Sequence, residues 1–250
     1  MYEFTEDQIA LRDEARKFAR AEIIPVAGKL DEHSIFPKEI LLKAQDLGLL
    51  NLTQPEECGG TNLSITDCCI VIEEIAAGCA GVTTSLVAND LALTPIRLYG
   101  TPEQQQRFIG EVIRNRQFAS FCLSEPGAGS DAGGLSTVIT SEGDDYVING
   151  QKQWITNGGE ASQFTVFATH DKSKRHKGIS CIVVPADTSG VSTGHHENKM
   201  GQRCSNTVSV TFDNVRVPKT NRIGEEGKGF GVAMHTLDVS RPMTAIIAVG

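Results

Sequence analysis

The chain lacks the features that mark several common classes of protein. No apolar run reaches membrane-spanning length, and the seven cysteines, an odd number without a CxxC pair, fit neither a disulfide framework nor a zinc site. Basic residues are also few: the chain has 23 of them and 31 acidic residues, so its net charge is −8. That balance argues against a general nucleic-acid binder and gives no reason to expect attraction to anionic lipid. We therefore expect no nucleic-acid partner, no membrane span, no metal site and a reducing compartment.

The first residues contain no recognisable signal or transit peptide. Thr5 and Gln8 fit a helix capping box, so a helix begins almost directly after Met1. A processed sequence would look the same, but the simplest prediction is a cytoplasmic location.

Aromatic residues make up only 6% of the chain, and its single tryptophan, Trp154, lies in the stretch around which we expect the chain to be organised. Residues 126–134 hold four glycines and a proline, so the backbone turns tightly and its N–H groups are open to a ligand. One interpretation is a β-rich domain with loose loops and a core tryptophan. The other is a site for a flat heterocycle with a polar edge, built from the hydroxyls of Ser124 and Thr156 and the indole face.

The order of hydrophobic patterns predicts an α+β protein. Residues 1–116 show helical spacing with capping residues and form an N-terminal helical bundle. Residues 117–224 alternate in short β-branched clusters separated by turns, which predicts an antiparallel, β-barrel-like middle domain. Residues 225–250 begin a C-terminal helical domain. Pro25 marks the expected end of the first helix.

Four motifs carry a resemblance to a known family: Cys122–Gly134, Trp154-Ile155-Thr156, Met200–Ser205 and Ser240-Arg241-Pro242. They resemble the acyl-CoA dehydrogenases, most of all the medium-chain type, and the resemblance covers the whole chain. It implies an FAD-dependent enzyme of fatty-acid β-oxidation that converts an acyl-CoA thioester to a trans-2-enoyl-CoA. In that family the flavin takes a hydride from Cβ and a glutamate takes the α proton.

The resemblance also implies the site residues. The expected cofactor contacts are Phe121, Leu123, Ser124, Ser130, Trp154, Ile155 and Thr156. The expected substrate contacts are Ser130, Asp238, Ser240 and Arg241. Ser124 stands where the medium-chain type usually carries threonine, a mild change because the hydroxyl is kept.

No catalytic base is assigned within the chain. Some relatives carry the glutamate at the position of Ser240, and the others, including the medium-chain type, carry it on a later helix, so we expect it beyond Gly250. Asp238 lies two residues before Ser240 and points roughly to the opposite side of a helix. Glu125, inside the signature turn, is expected to accept N–H bonds or pair with a cation. The chain is therefore expected to be a fragment or to be completed by a partner chain.

The implied partners are acyl-CoA, electron-transferring flavoprotein and further copies of the chain in a tetramer or dimer, or a complementing chain. The apolar segment around Leu49, Leu50, Leu63 and Ile70 is a candidate groove for the flavoprotein, with ordinary core packing as the alternative. Two other functions stay open. The chain could be an inactive subunit or fragment used for binding or assembly, or it could be an acyl-CoA oxidase or flavin monooxygenase on the same scaffold.

Overall fold

The computed structural model describes residues 3–250. Its helices are α1 (Glu6–Phe18), α2 (Ile24–Glu32), α3 (Lys38–Asp46), α4 (Ile65–Ala76), α5 (Ala80–Tyr99), α6 (Pro102–Gln105), α7 (Glu111–Arg114) and α8 (Gly229–Ile246). Its strands are β1 (Phe118–Cys122), β2 (Val138–Glu142), β3 (Asp145–Thr156), β4 (Ala161–Thr169), β5 (Ile179–Pro185), β6 (Val191–Thr193), β7 (Thr207–Pro218) and β8 (Arg222–Ile223). The order of a helical unit, a sheet and a last helix is the predicted one.

Local capping chemistry sets where several helices begin. Thr5 and Thr101 each close a capping box with a glutamine three residues on, and the Ser64 hydroxyl accepts the backbone N–H of Asp67 at the start of α4. The predicted end at Pro25 is wrong. The helical path continues past it, because a π-helical turn over Ala19–Ile23 joins α1 to α2 and proline occupies the second position of α2.

The sheet of the described residues is mixed and open, which refines the expected antiparallel, barrel-like domain. Its strands follow the order β6-β7-β3-β2-β4-β5-β8, so β6 and β8 lie at opposite ends. Most pairings are antiparallel, but β1 and β2 both run parallel to β4. Cys122 of β1 pairs with Val166 of β4, and Val138 of β2 pairs with Thr169 of β4. The two strands β1 and β2 therefore lie end to end along one edge of β4. The glycine-rich turn is the excursion between them.

Three apolar clusters form the interior, one among the N-terminal helices, one inside the sheet and one between them. The middle cluster joins Leu93 of α5 and Val232 of α8 to Val183 of β5, so both helices pack on the sheet. The prediction of an open groove for the flavoprotein is wrong, and the alternative of ordinary core packing holds. Leu49, Leu50 and Ile70 are buried, and the half-buried Leu63 packs against the helical cluster.

No helix within residues 3–250 combines the length and apolar character needed to cross a bilayer.

Candidate functional site

A cavity of about 410 Å³ lies where α5, α8, the turn after β1 and the end of β3 meet. Its lining includes all of the residues predicted to contact the cofactor: Phe121, Leu123, Ser124, Ser130, Trp154, Ile155 and Thr156. Helices α5 and α8 close it with Ala88, Leu91, Met234, Leu237 and Arg241. Two sequence motifs thirty residues apart therefore share one concave, mostly apolar site with a few polar groups, the usual form of a small-molecule site.

Glu125 stabilises the turn that forms one wall of the cavity through hydrogen bonds to other residues of the same segment. The backbone of Glu125 exchanges hydrogen bonds with that of Ala128, with N···O distances of 3.0 and 3.1 Å. Its carboxylate accepts the N–H and hydroxyl of Ser136, at 2.6 and 2.7 Å, and the N–H of Thr137 at 2.9 Å. Glu125 thus closes the excursion between β1 and β2 from both ends, in the structural role predicted for it.

Lys152 is the residue of this region that sequence reasoning missed. Its ammonium is fully buried and donates to Glu125 Oε1 at 2.8 Å and to the carbonyl of Leu123 at 3.1 Å. No alternation along β3 marks it in advance, because Val147 between the buried Tyr146 and Ile148 is buried too, and Gly150, two positions before Lys152, is only half-buried. A lysine is also rarely buried, so its residue type argues for exposure.

Glu125 and Lys152 form a buried ion pair. Burial by itself would raise the pKa of Glu125, but the Lys152 ammonium and the hydrogen bonds from Thr137 and Ser136 lower that pKa to about 2. Burial lowers the pKa of Lys152, and the carboxylate opposes that shift. The carboxylate is therefore ionised at neutral pH, with its oxygens engaged by four donors.

Trp154 is presented to the cavity by a distortion of β3. The pairing of β3 with β7 shifts register between Lys152 and Ile155, and Trp154 within this bulge has a φ of 60°. Bulges redirect side chains, and a positive φ is strained for a bulky residue, so its presence here points to a ligand site. The indole remains 61% exposed, which is unusual for the largest side chain in the protein.

Three hydroxyl groups that line the cavity are not used by the fold. The hydroxyls of Ser124, Ser130 and Thr156 make no hydrogen bond to any other group of residues 3–250, although the Ser124 carbonyl accepts the N–H of Gln153 at 2.9 Å. Three unengaged hydroxyls and an exposed indole around an apolar cavity suit a flat heterocycle with a polar edge. The residues present therefore fit a flavin ring.

The predicted substrate residues on α8 are divided by the helix geometry. Arg241 lines the cavity and pairs with Asp238 one turn away, and both side chains are 65% exposed. Ser240 is buried, and its hydroxyl donates to the carbonyl of Leu237 at 3.2 Å. Ser130 and Arg241 thus share the cavity, whereas Asp238 holds the arginine from outside and Ser240 faces the interior. Among the described residues that line the cavity there is no carboxylate.

Two protein-family models together match most of the chain. Residues 5–116 match the family described as acyl-CoA dehydrogenase, N-terminal domain, and residues 120–215 match its middle domain. The chain is 44% identical to a short-chain specific acyl-CoA dehydrogenase of Rattus norvegicus, over 99% of the chain and 60% of the relative. It is 39% identical to a probable medium-chain specific acyl-CoA dehydrogenase of Caenorhabditis briggsae, over 100% of the chain and 62% of the relative. The chain thus spans about three fifths of the length of these relatives.

Solved structures share the fold over the same extent. Butyryl-CoA dehydrogenase from Megasphaera elsdenii superposes with a TM-score of 0.94 at 35% identity, covering 100% of this chain and 66% of that one. A chain from work on the electron transferring flavoprotein of Acidaminococcus fermentans gives 0.95 at 36% identity, with 100% and 66% coverage. An acyl-CoA dehydrogenase of Bacillus anthracis in complex with FAD gives 0.90 at 33% identity, with 99% and 42% coverage.

Proposed function

Because the chain belongs to the acyl-CoA dehydrogenase family, we propose that the protein is an FAD-dependent enzyme that oxidises an acyl-CoA thioester to its trans-2-enoyl-CoA. The observation that carries the proposal is the single cavity that gathers the predicted cofactor residues. Family membership supplies the reaction class, and the cavity supplies a place for it.

Each lining group has a proposed part. The hydroxyls of Ser124 and Thr156 would bond the polar edge of the flavin, and the Trp154 indole would cover one face of its ring. These groups would hold a flavin whose chemistry, when bound, would be acceptance of a hydride from Cβ of the thioester. Apolar side chains such as Leu237 of α8 keep water from the reacting carbons.

The substrate is held at the α8 side of the same cavity. Ser130 offers a hydroxyl and Arg241 a guanidinium, which suits the polar end of an acyl-CoA. No lining residue offers a carboxylate for the α proton, so we propose that this proton goes to a glutamate outside the cavity lining described here, as predicted for the region beyond Gly250. The relatives named for short- and medium-chain substrates, and the butyryl-CoA enzyme, make acyl groups of that length our proposal.

The finer assignments belong to the same proposal. We propose electron-transferring flavoprotein as the electron acceptor, a homo-oligomeric assembly, and domains over residues 1–116, 117–224 and 225–250. All seven cysteines are free thiols, which fits a reducing compartment such as the cytosol. The curated relatives are named as mitochondrial proteins, so fractionation of the native cells decides between the two compartments.

Anaerobic reduction of the bound flavin tests the proposal. We expect the native protein to bind FAD and its flavin absorbance to bleach on addition of butyryl-CoA or octanoyl-CoA, with enoyl-CoA as the product. Reoxidation by electron-transferring flavoprotein but not by oxygen is expected. Rapid reoxidation by oxygen would indicate an acyl-CoA oxidase, and FAD binding without bleaching would indicate an inactive binding subunit.

A further inference from the structure

Two thiols from different halves of the fold meet outside the cavity. Cys79 directly precedes α5, and Cys204 lies in the segment before β7, yet their Sγ atoms are 4.0 Å apart. They are separated by 125 positions in the chain. Neither residue lines the flavin cavity, and no part of the proposed dehydrogenation uses them.

The surroundings of Cys79 favour its thiolate. The contact with the Cys204 sulfur, together with bonds from the N–H groups of Val82 and Gly81, lowers the pKa of Cys79 against the opposing effect of burial. The two N–H groups belong to the first turn of a 20-residue helix, whose N-terminal end also favours negative charge. Cys79 is the partly exposed member of the pair, and reactive thiols are found at partly exposed positions.

Cys204 has the opposite character. It is fully buried, and the pKa of its thiol is raised by the contact with Cys79 and because burial disfavours its charge. Its close approach depends on Gly81, since a Cβ at that position would lie 2.6 Å from the Cys204 sulfur. The arrangement therefore pairs a partly exposed sulfur, whose surroundings favour the thiolate, with a buried thiol.

We propose that Cys79 and Cys204 form a redox-active pair that a hydroperoxide converts into an intramolecular disulfide. The Cys79 thiolate attacks the outer peroxide oxygen, the O–O bond breaks, and the alcohol leaves with a proton, which gives a Cys79 sulfenic acid. The Cys204 sulfur then attacks the Cys79 sulfur, forming the S–S bond and releasing water. Two thiols are oxidised by two electrons, and one peroxide is reduced. The sulfur atoms close by about 2 Å to reach bonding distance.

The disulfide would tether the start of α5 to a segment that supports the cavity. Thr84 of α5 donates to the Gln202 side chain at 2.7 Å, and the Asn206 carbonyl accepts the N–H of Asn157 at 2.8 Å. Asn157 directly follows Thr156 of the cavity wall. The bond would therefore restrain the helical unit against the sheet beside the proposed cofactor site, although its formation does not require a cofactor.

Peptide mapping after peroxide treatment tests the pair in the full chain. The reduced protein is exposed to hydrogen peroxide, alkylated and digested. We expect a Cys79–Cys204 linked peptide, loss of two of the seven thiols and a mass decrease of about 2 Da from two lost hydrogens. Cys69→Ser is the matched control, because Cys69 is also partly exposed but burial raises its pKa, and this variant is expected to react like the wild type. In Cys204→Ser, whose hydroxyl can still bond the Cys79 sulfur but cannot form a disulfide, the sulfenic acid at Cys79 is expected to persist and to be trapped by dimedone.

Three results would overturn the proposal. These are oxidation of Cys69 at the same rate as Cys79, a linked peptide joining two different chains, and the absence of any linked peptide in wild-type protein whose other thiols have reacted. The wild-type mapping does not depend on a variant that folds. It is also independent of flavin binding, so its failure leaves the proposed dehydrogenase activity untouched.

Discussion

Two walls of the cavity carry ion pairs of opposite kinds. The sheet wall, with Leu123 and Trp154, is fixed by the Glu125–Lys152 pair, whose side chains are 1% and 0% exposed. The α8 wall carries its charge on Arg241, which pairs with Asp238 one helical turn away, both of them 65% exposed.

The difference indicates which wall is fixed before a ligand arrives. A buried pair loses its hydration on folding, so removing one partner leaves a charge with no water to replace the lost bond. An exposed pair is screened and gives up little when its partner turns elsewhere. We infer that the sheet wall is fixed by the fold, whereas Arg241 can exchange Asp238 for an anionic ligand.

Loss of the buried ammonium is expected to have the largest effect. Lys152→Met keeps the length of the side chain but leaves Glu125 buried and charged, so we expect a loss of about 3–5 kcal/mol in the free energy of unfolding. Urea denaturation measures it. Lys43→Met is the matched control, because Lys43 pairs with Glu22 at 2.6 Å while 57% exposed, and a loss below about 1 kcal/mol is expected. Equal losses for the two lysines would erase the distinction between the pairs.

Acid should weaken the sheet wall selectively. The folded protein holds the pKa of Glu125 at about 2, below its ordinary value of 4.5, so its stabilising contribution is complete above that ordinary value and is lost as pH falls toward 2. The stability difference between wild type and Glu125→Gln should therefore shrink between about pH 5 and about pH 3. A difference that stays constant over this window would mean that the carboxylate is not held ionised by the fold.

The exposed indole should matter for the ligand and not for the fold. Trp154→Ala combined with Thr156→Ala removes a ring face and a hydroxyl that other residues barely use. We expect FAD affinity to fall by at least about tenfold, roughly 1.4 kcal/mol or more, with little change in unfolding. Equilibrium dialysis gives the affinity. Unchanged flavin content in the double variant would show that this wall is assigned wrongly.

The surface pair should have the smallest effect. Asp238→Asn removes the partner of Arg241, and we expect the free energy of unfolding to change by less than about 0.5 kcal/mol. Urea curves recorded beside those of Lys152→Met provide the comparison. A loss as large as that of the buried pair would contradict the contrast between the two walls.

Local signals made the helical half readable from sequence. The capping box of Thr5 and Gln8 is predicted from sequence and confirmed, because a cap depends on residues within one turn of the helix. The parallel pairing of β1 with β4 was missed because it joins segments about forty residues apart, and no local pattern specifies such a register.

The residues of the candidate site could be predicted from the resemblance, but the contacts that hold them together could not. The motif residues gather in one cavity because Gln153 bonds the Ser124 carbonyl and Lys152 bonds that of Leu123, contacts between segments far apart in the chain. Nothing local reveals that a lysine is buried there, nor that the bulge before Ile155 turns Trp154 outward. The meeting of Cys79 and Cys204 was hidden for the same reason.

The fluorescence of Trp154 during FAD titration tests the central claim most directly. The chain has one tryptophan, so its emission reports on this cavity alone. We predict saturable quenching that reaches its plateau at one FAD per chain, because the flavin would lie against the indole. FAD that binds, as measured by dialysis, while the emission stays unchanged would contradict the claim that this cavity is the cofactor site.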